Sequence, residues 1–160
     1  IPALPCKHNL IENMSDNTAT KSAQISKFRE LALRGANYRE RTTIDLYGED
    51  LELVLKPIID DDYYGLLFSI DVDEEQVEQA MEDAEDPDTG EIDPSMMDDQ
   101  MVGMLQEAAC MGIDAEAMGE TEEGIREIVT QILVGGKSLE IGSAVIELSD
   151  AMGEAEKFRR

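Results

Sequence analysis

Carboxylates are the residues of this chain most able to do chemistry, and two groups of them have a spacing worth testing. Asp60-Asp61-Asp62 puts three carboxylates side by side ahead of Tyr63-Tyr64-Gly65-Leu66-Leu67-Phe68-Ser69-Ile70. Such a cluster could hold a cation. It also suits the start of a helix, where exposed N–H groups and the helix dipole favour negative charge, and capping is the simpler reading. The second group is Glu85-Asp86-Pro87-Asp88-Thr89-Gly90-Glu91-Ile92-Asp93-Pro94. A calcium loop needs oxygen ligands at its first, third, fifth and twelfth positions around a glycine at the sixth. With Gly90 at the sixth, those positions fall on Glu85, Pro87, Thr89 and Met96, so the register fails and the segment reads as an acidic linker over about 85–95.

Other chemistry is sparse. Cys6 and Cys110 are far apart, no Cys-x-x-Cys occurs, and His8 is the single histidine, which argues against a disulfide scaffold and structural zinc. Cys6 and His8 alone are too few ligands for a metal site. No glycine-rich phosphate loop or Gly-x-Ser-x-Gly elbow is present. The expectation is a non-enzyme without cofactor or metal.

The acid is concentrated rather than dispersed. The 160 residues hold 37 Asp+Glu against 13 Lys+Arg, and Glu49 to Glu123 holds 26 carboxylates with Lys56 as its one base. A nucleic-acid binder needs a basic face, so this balance excludes a simple one. Abundant acid with little lysine suits a salt-rich cytoplasm, where screening reduces self-repulsion. No apolar run is long enough to span a membrane, and Ile1–Asn13 lacks the basic start and apolar core of a signal peptide, so the expectation is a protein of a cytoplasm, or a component assembled in one.

These charges must be positioned by a core of Leu, Ile, Val, Met and Ala, because only seven residues are aromatic. The chain reads as a flexible tail over 1–20, a single α+β domain over 21–152, and a basic end over 153–160. The thirteen residues ahead of Met14 read as a tail, an added remnant or a translated upstream region. Ile25, Phe28, Leu31 and Ala32 predict a short basic amphipathic helix over Ser22–Ala36 with Gly35 as its cap. Two roles for it stay open: docking on the acidic middle, or a helix end with its bases in water.

Thr42–Tyr47 and Leu51–Lys56 alternate as strands, with Gly48-Glu49-Asp50 as the hairpin loop. Ile44, Leu46, Leu51, Leu53 and Leu55 form the apolar face that helices must cover. An acidic helix follows from Asp73, with Val77, Ala80, Met81 and Ala84 on one side. Ser95 is the expected cap of a helix carrying Met96, Met97, Met101, Val102, Met104, Leu105, Ala108, Ala109 and Met111. Thr121–Val134 reads as an amphipathic helix through Ile125, Ile128, Val129, Ile132 and Leu133, stopped by Gly135-Gly136. Ser138 is expected to cap the last helix, with Leu139, Ile141, Ala144, Val145, Leu148 and Met152 inward. The whole is mostly helical, with one hairpin against a small bundle.

Six of the nine methionines lie between Met96 and Met118. Flexible, polarisable methionine serves surfaces that fit more than one partner, and it serves equally as a core gap-filler. Both readings are open; the first assigns a partner face to Met97, Met101, Met104, Leu105, Ile125, Ile128 and Ile132.

The order of these segments resembles a known family. A hairpin ending Leu53-Val54-Leu55-Lys56-Pro57-Ile58 leads through an acidic turn into a helix at Asp60–Phe68. A closing pair follows, reading Gly124-Ile125-Arg126-Glu127-Ile128-Val129, then Leu133-Val134-Gly135-Gly136, then Leu139 to Asp150 with Val145-Ile146-Glu147-Leu148-Ser149. This looks like the tail assembly chaperones of long-tailed viruses of bacteria and archaea, over roughly Ile44 to Asp150; the acidic insert Asp71–Asp99 departs from its shorter members. The acid bias points to a haloarchaeal virus or provirus. The resemblance implies a protein that binds and shields the tape-measure protein until tube protein polymerises around it, with tail tube protein as a second candidate partner and no catalytic residue; whether the chain forms a homo-oligomer stays open. The alternatives are a small structural virion protein (a tail or head–tail component), an acidic DNA mimic and a cation-binding module.

Overall fold

Alternation in the hairpin sets the register of the sheet. In the computed structural model, which describes residues 3–69, 74–88 and 98–154, β1 (Glu40–Leu46) pairs antiparallel with β2 (Glu49–Leu55), placing Thr42 opposite Leu53 and Ile44 opposite Leu51. Side chains alternate across a strand, so Ile44, Leu46, Leu51, Leu53 and Leu55 share one face, as expected. Burial along that face is graded: Leu53 and Leu55 are buried, Ile44 and Leu46 half-buried, Leu51 exposed. The turn differs from the expected one. It is two residues long, Tyr47-Gly48, both at positive φ (58° and 92°), while Glu49 and Asp50 belong to β2. Two consecutive left-handed residues match the twist of paired strands. Asp45 Oδ1 accepts a bond from the Gly48 N–H at 2.9 Å, which helps close the turn.

The chain forms two units, 1–37 and 38–160. The first is the helix α1 (Ala3–Ala36). It runs through residues expected to be tail and begins well before Ser22. Pro5 lies in its first turn, where proline is tolerated, and neither Gly nor Pro interrupts Cys6–Arg34. The weak helix formers Asp16, Asn17 and Thr18 do not break it. Gly35 is not a left-handed cap, because the helical pattern continues through it to the bond from the Asn37 N–H to the Leu33 carbonyl at 2.8 Å.

Among the described residues the second unit, hereafter the body, contains the hairpin and five α-helices: α2 (Asp60–Phe68), α3 (Glu74–Ala84), α4 (Asp99–Gly112), α5 (Glu122–Glu127) and α6 (Lys137–Ala151). Its architecture is α+β and mostly helical. The centre is the packing of α4 on α6, where glycines permit close approach. A Cβ on Gly142 would collide with the backbone carbonyl of Leu105, and one on Gly112 with the side chain of Val145. Around this crossing Leu105, Ala108, Ala109, Leu139, Val145 and Leu148 are buried, and Leu53 and Leu55 of the hairpin join the same core. Beyond α4 the chain bridges onto β2: Lys56 N–H donates to the Gly112 carbonyl at 2.8 Å, and Asp114 N–H to the Val54 carbonyl at 2.9 Å. The hydroxyl of Ser149 on α6 accepts from the Ile58 N–H at 2.9 Å and donates to the Val145 carbonyl at 2.8 Å.

Caps follow local chemistry, with three departures from expectation. Asp60–Asp62 occupy the first turn of α2 rather than its cap, which is Ile59; there they face the positive helix end. Asp98 caps α4 by accepting from the Gln100 N–H at 2.7 Å; Ser95, the expected cap, lies outside the described residues. Gly136, at φ 76°, precedes α6 in place of Ser138, which is buried. Thr121 does cap α5, accepting from the Gly124 N–H at 3.0 Å. The segment after α5 is not a continuation of an α-helix. Ile128–Ile132 form a π-helical turn, closed by the Leu133 N–H donating to the Ile128 carbonyl at 3.0 Å. Among the described residues no helix is long and apolar enough to cross a membrane. Most of the linker at 85–95 and the basic end beyond Glu154 lie outside the described residues, as do the side chains of Val77, Ala80 and Met81; Ala84 is buried.

Candidate functional site: an apolar face at the hairpin tip and the π-helical turn

The seven residues expected to form a partner face separate into groups. Met101, Met104 and Leu105 on α4, and Ile125 on α5, are buried members of the core. This corrects the expectation for these four: in the folded body they offer no surface to a partner. The physical reason is that α4 is the central helix, packed on α6 and contacted by α2, so its methionines fill space between helices. Met97 lies outside the described residues. Ile128 (38% exposed) and Ile132 (58% exposed) are at the surface.

The π-helical turn accounts for that last pair. One extra residue in a turn shifts the angular positions of the side chains that follow. Ile125 and Val129 keep the inward face, while Ile128 and Ile132, four residues apart, stand outward. The Thr130 hydroxyl donates to the Arg126 carbonyl at 2.7 Å, holding the turn to α5. Chain reversal at Gly135 (φ 70°) and Gly136 leaves Val134 66% exposed.

The hairpin tip extends this surface. Tyr47 is the one non-glycine residue at positive φ among the described residues, a conformation that costs about 1 kcal/mol or more for a bulky side chain. Its hydroxyl donates to the Val134 carbonyl and accepts from the Val134 N–H, both at 2.9 Å. Two bonds to one peptide unit offset the backbone cost and fasten the tip beside the π-helical turn. Tyr47 itself stays exposed and is bonded to the backbone of Val134, which is exposed as well, as is Ile132 two residues earlier. Tyr47 and Val134 were not foreseen as site residues. A tyrosine next to a turn glycine was the available signal, and its partner is 87 residues away.

Charged side chains pin the elements that carry this face. Arg126 on α5 makes a two-pronged pair with Glu107 on α4, both N···O distances 2.7 Å. The guanidinium holds the Glu107 carboxyl below its ordinary range, chiefly by hydrogen bonding against the opposing effect of burial. Arg39 Nε donates to Asp114 Oδ2 at 2.6 Å, tying the approach to β1 to the segment after α4, and this bond is the main cause that lowers the Asp114 carboxyl. Cys110 lies near by, but burial raises its thiol, which opposes a reactive thiolate.

Two further surfaces stand apart from this face. On α2 the rings of Tyr64 and Phe68 stack, centroids 6.2 Å apart, with Phe68 83% exposed. Between the hairpin, α3 and α6 lies an open cavity of about 400 Å³, with Ile44, Leu53, Ile141 and Ala144 among its walls. Six of its lining residues are carboxylates and none is basic. Among the described residues no group of three or more His, Cys, Asp or Glu is placed to hold a metal ion. No protein-family model, curated protein or solved structure matches the chain at a significant level.

Proposed function

We propose that this protein is an assembly chaperone of a tailed virus, which binds apolar helices of the tape-measure protein and keeps them soluble until tube protein encloses them. The observation that carries the reading is the exposed face of Ile128, Ile132, Val134 and Tyr47 on a strongly acidic body. Residues 38–160 hold 34 Asp+Glu against 8 Lys+Arg, a formal charge of -26. Apolar side chains at such a surface give a helix somewhere to bind, and the charge around them opposes aggregation of the complex. The segment order that resembles tail assembly chaperones supports the choice of client.

The test is co-expression of the full chain with a helical tape-measure fragment, followed by capture. Ile132→Asp together with Val134→Asp should abolish capture while the melting curve stays within about 0.5 kcal/mol of wild type, as for exposed positions generally. Undiminished capture by a folded double variant would remove this face from the proposal. Mass spectrometry of purified particles decides the class: a chaperone is absent from mature virions, whereas a structural tail or head–tail component is present in them.

A further inference from the structure

We propose that the acid-rimmed cavity between the hairpin, α3 and α6 receives helix α1 of a second copy of this chain, making the protein self-associating through a basic helix in an acidic groove. The two surfaces are opposite in charge and alike in pattern. Around the cavity stand the exposed carboxylates of Glu78, Glu82, Glu85, Glu147 and Asp150, over an apolar floor. Residues 1–37 carry 5 Lys+Arg against 3 Asp+Glu, whereas residues 38–160 carry a large acidic excess. On α1, Ile25, Phe28, Leu31 and Leu33 are all exposed, with Phe28 at 71%, and Lys21, Lys27, Arg29 and Arg34 stand among them.

Recognition of this kind uses an apolar side chain as anchor and charge as guide. An amphipathic helix lays its apolar residues into a groove, and complementary potentials set the orientation and exclude wrong partners. A cavity of about 400 Å³ is too small for a helix but suits a bulky anchor such as Phe28, with neighbouring bases reaching the rim. Five exposed carboxylates around one opening, with no base among the lining residues, repel each other; a cationic helix relieves that repulsion. This inference is independent of the proposed client, because its surface is neither the hairpin tip nor the π-helical turn.

The experiment uses full-length chains and analytical ultracentrifugation across a concentration series, with circular dichroism of every sample. Wild type should associate as concentration rises at low salt, and association should weaken in molar salt as screening shortens to about 3 Å. One variant reverses the helix (Lys27→Glu with Arg34→Glu) and one reverses the rim (Glu82→Lys with Glu147→Lys). Each alone should bind itself roughly a hundredfold more weakly, since opposed like charges cost several kcal/mol. Mixed, they should associate again, because the reversed helix of one meets the reversed rim of the other. Phe28→Ser, at an exposed position, should also lose association and serves if the rim variant does not fold. A wild-type chain monomeric at every concentration overturns the inference. So does Phe28→Ser with unchanged association, or a folded pair of charge variants that fails to recover it on mixing.

Discussion

Helix α1 and the body use the same kinds of side chain in opposite ways. On α1, Ile25, Phe28, Leu31 and Leu33 are exposed; in the body, Leu55, Leu105, Leu139, Val145 and Leu148 are buried. The ion pairs differ likewise. Those of α1 are local, Lys27 and Arg34 each 3.5 Å from Glu30, three or four residues away. The body has one local pair too, Lys137 with Glu140, but it adds pairs that join distant segments, Arg39 with Asp114 and Arg126 with Glu107. Local pairs stabilise a helix by a few tenths of a kcal/mol and say nothing of tertiary structure. The lesson is that apolar periodicity reports a face to be covered, while only long-range contacts report what covers it.

The sharpest way to break that comparison is to place the same charge in both regions. Leu105→Asp puts a carboxylate beside the α4–α6 crossing, where nothing can pair with it, and should abolish the cooperative melting of the body. Phe28→Asp on α1 should leave that melting within about 0.5 kcal/mol of wild type. Equal effects of the two substitutions would mean that the regions do not differ as described. Leu53→Asp should resemble Leu105→Asp, because Leu53 belongs to the same core although it lies on the hairpin. Native circular dichroism and melting in that variant would make the hairpin peripheral.

A smaller change tests the crossing itself. Gly142→Ala adds one methyl group against the Leu105 carbonyl, a backbone atom that cannot move aside as a flexible side chain would. Overpacking of this kind should cost about 1–3 kcal/mol, read as a lower denaturant midpoint with unchanged slope. Gly35→Ala on α1 meets nothing within 4 Å and should be neutral or slightly stabilising. A destabilised Gly35→Ala, or a neutral Gly142→Ala, would reverse the assignment of close packing.

Salt tests the charge difference. The body carries -26, so raising salt from low to molar should increase its melting temperature by roughly 5 °C or more as repulsion is screened. The same change should weaken association through the acidic groove, so stability and self-association should move in opposite directions. A melting temperature independent of salt would remove the halophilic expectation.

How much of this was legible in the sequence depended on the range of the deciding contact. The hairpin face of Ile44, Leu46, Leu51, Leu53 and Leu55 could be read because alternation is local and period two. The turn could not, since Tyr47 takes a left-handed conformation that its long-range bonds to Val134 support. Periodicity marked Met101, Met104 and Leu105 as one apolar face, yet it could not say whether α6 or another protein covers them. The same pattern at Ile125, Ile128, Val129, Ile132 and Leu133 suggested one continuous stripe. The π-helical turn divides it, and no propensity signals where a helix will take in an extra residue. For α1, apolar spacing begins only at Ile25, so periodicity marks the last part of the helix and gives no sign of the turns before Ser22.

The smallest expected effect concerns the long-range ion pairs that set the body apart from α1. Glu107 is held below its ordinary value of 4.5 chiefly by its hydrogen bonds from Arg126. A carboxyl whose folded pKa is depressed stabilises the fold above its unfolded value, and that contribution is lost as pH falls through the folded pKa. Glu107→Gln should therefore lower stability at neutral pH by at most about 1 kcal/mol, since both side chains are partly exposed and screened. The deficit should shrink once pH drops below 4.5 and vanish when the wild-type carboxyl is itself protonated. Denaturant midpoints of both proteins, measured stepwise downward from neutral pH, give the difference directly. Glu30→Gln on α1 provides the control, because its local pairs should contribute only a few tenths of a kcal/mol. A Glu107→Gln deficit that persists unchanged in acid would show that packing or lost geometry, rather than the ionised pair with Arg126, holds α5 to α4.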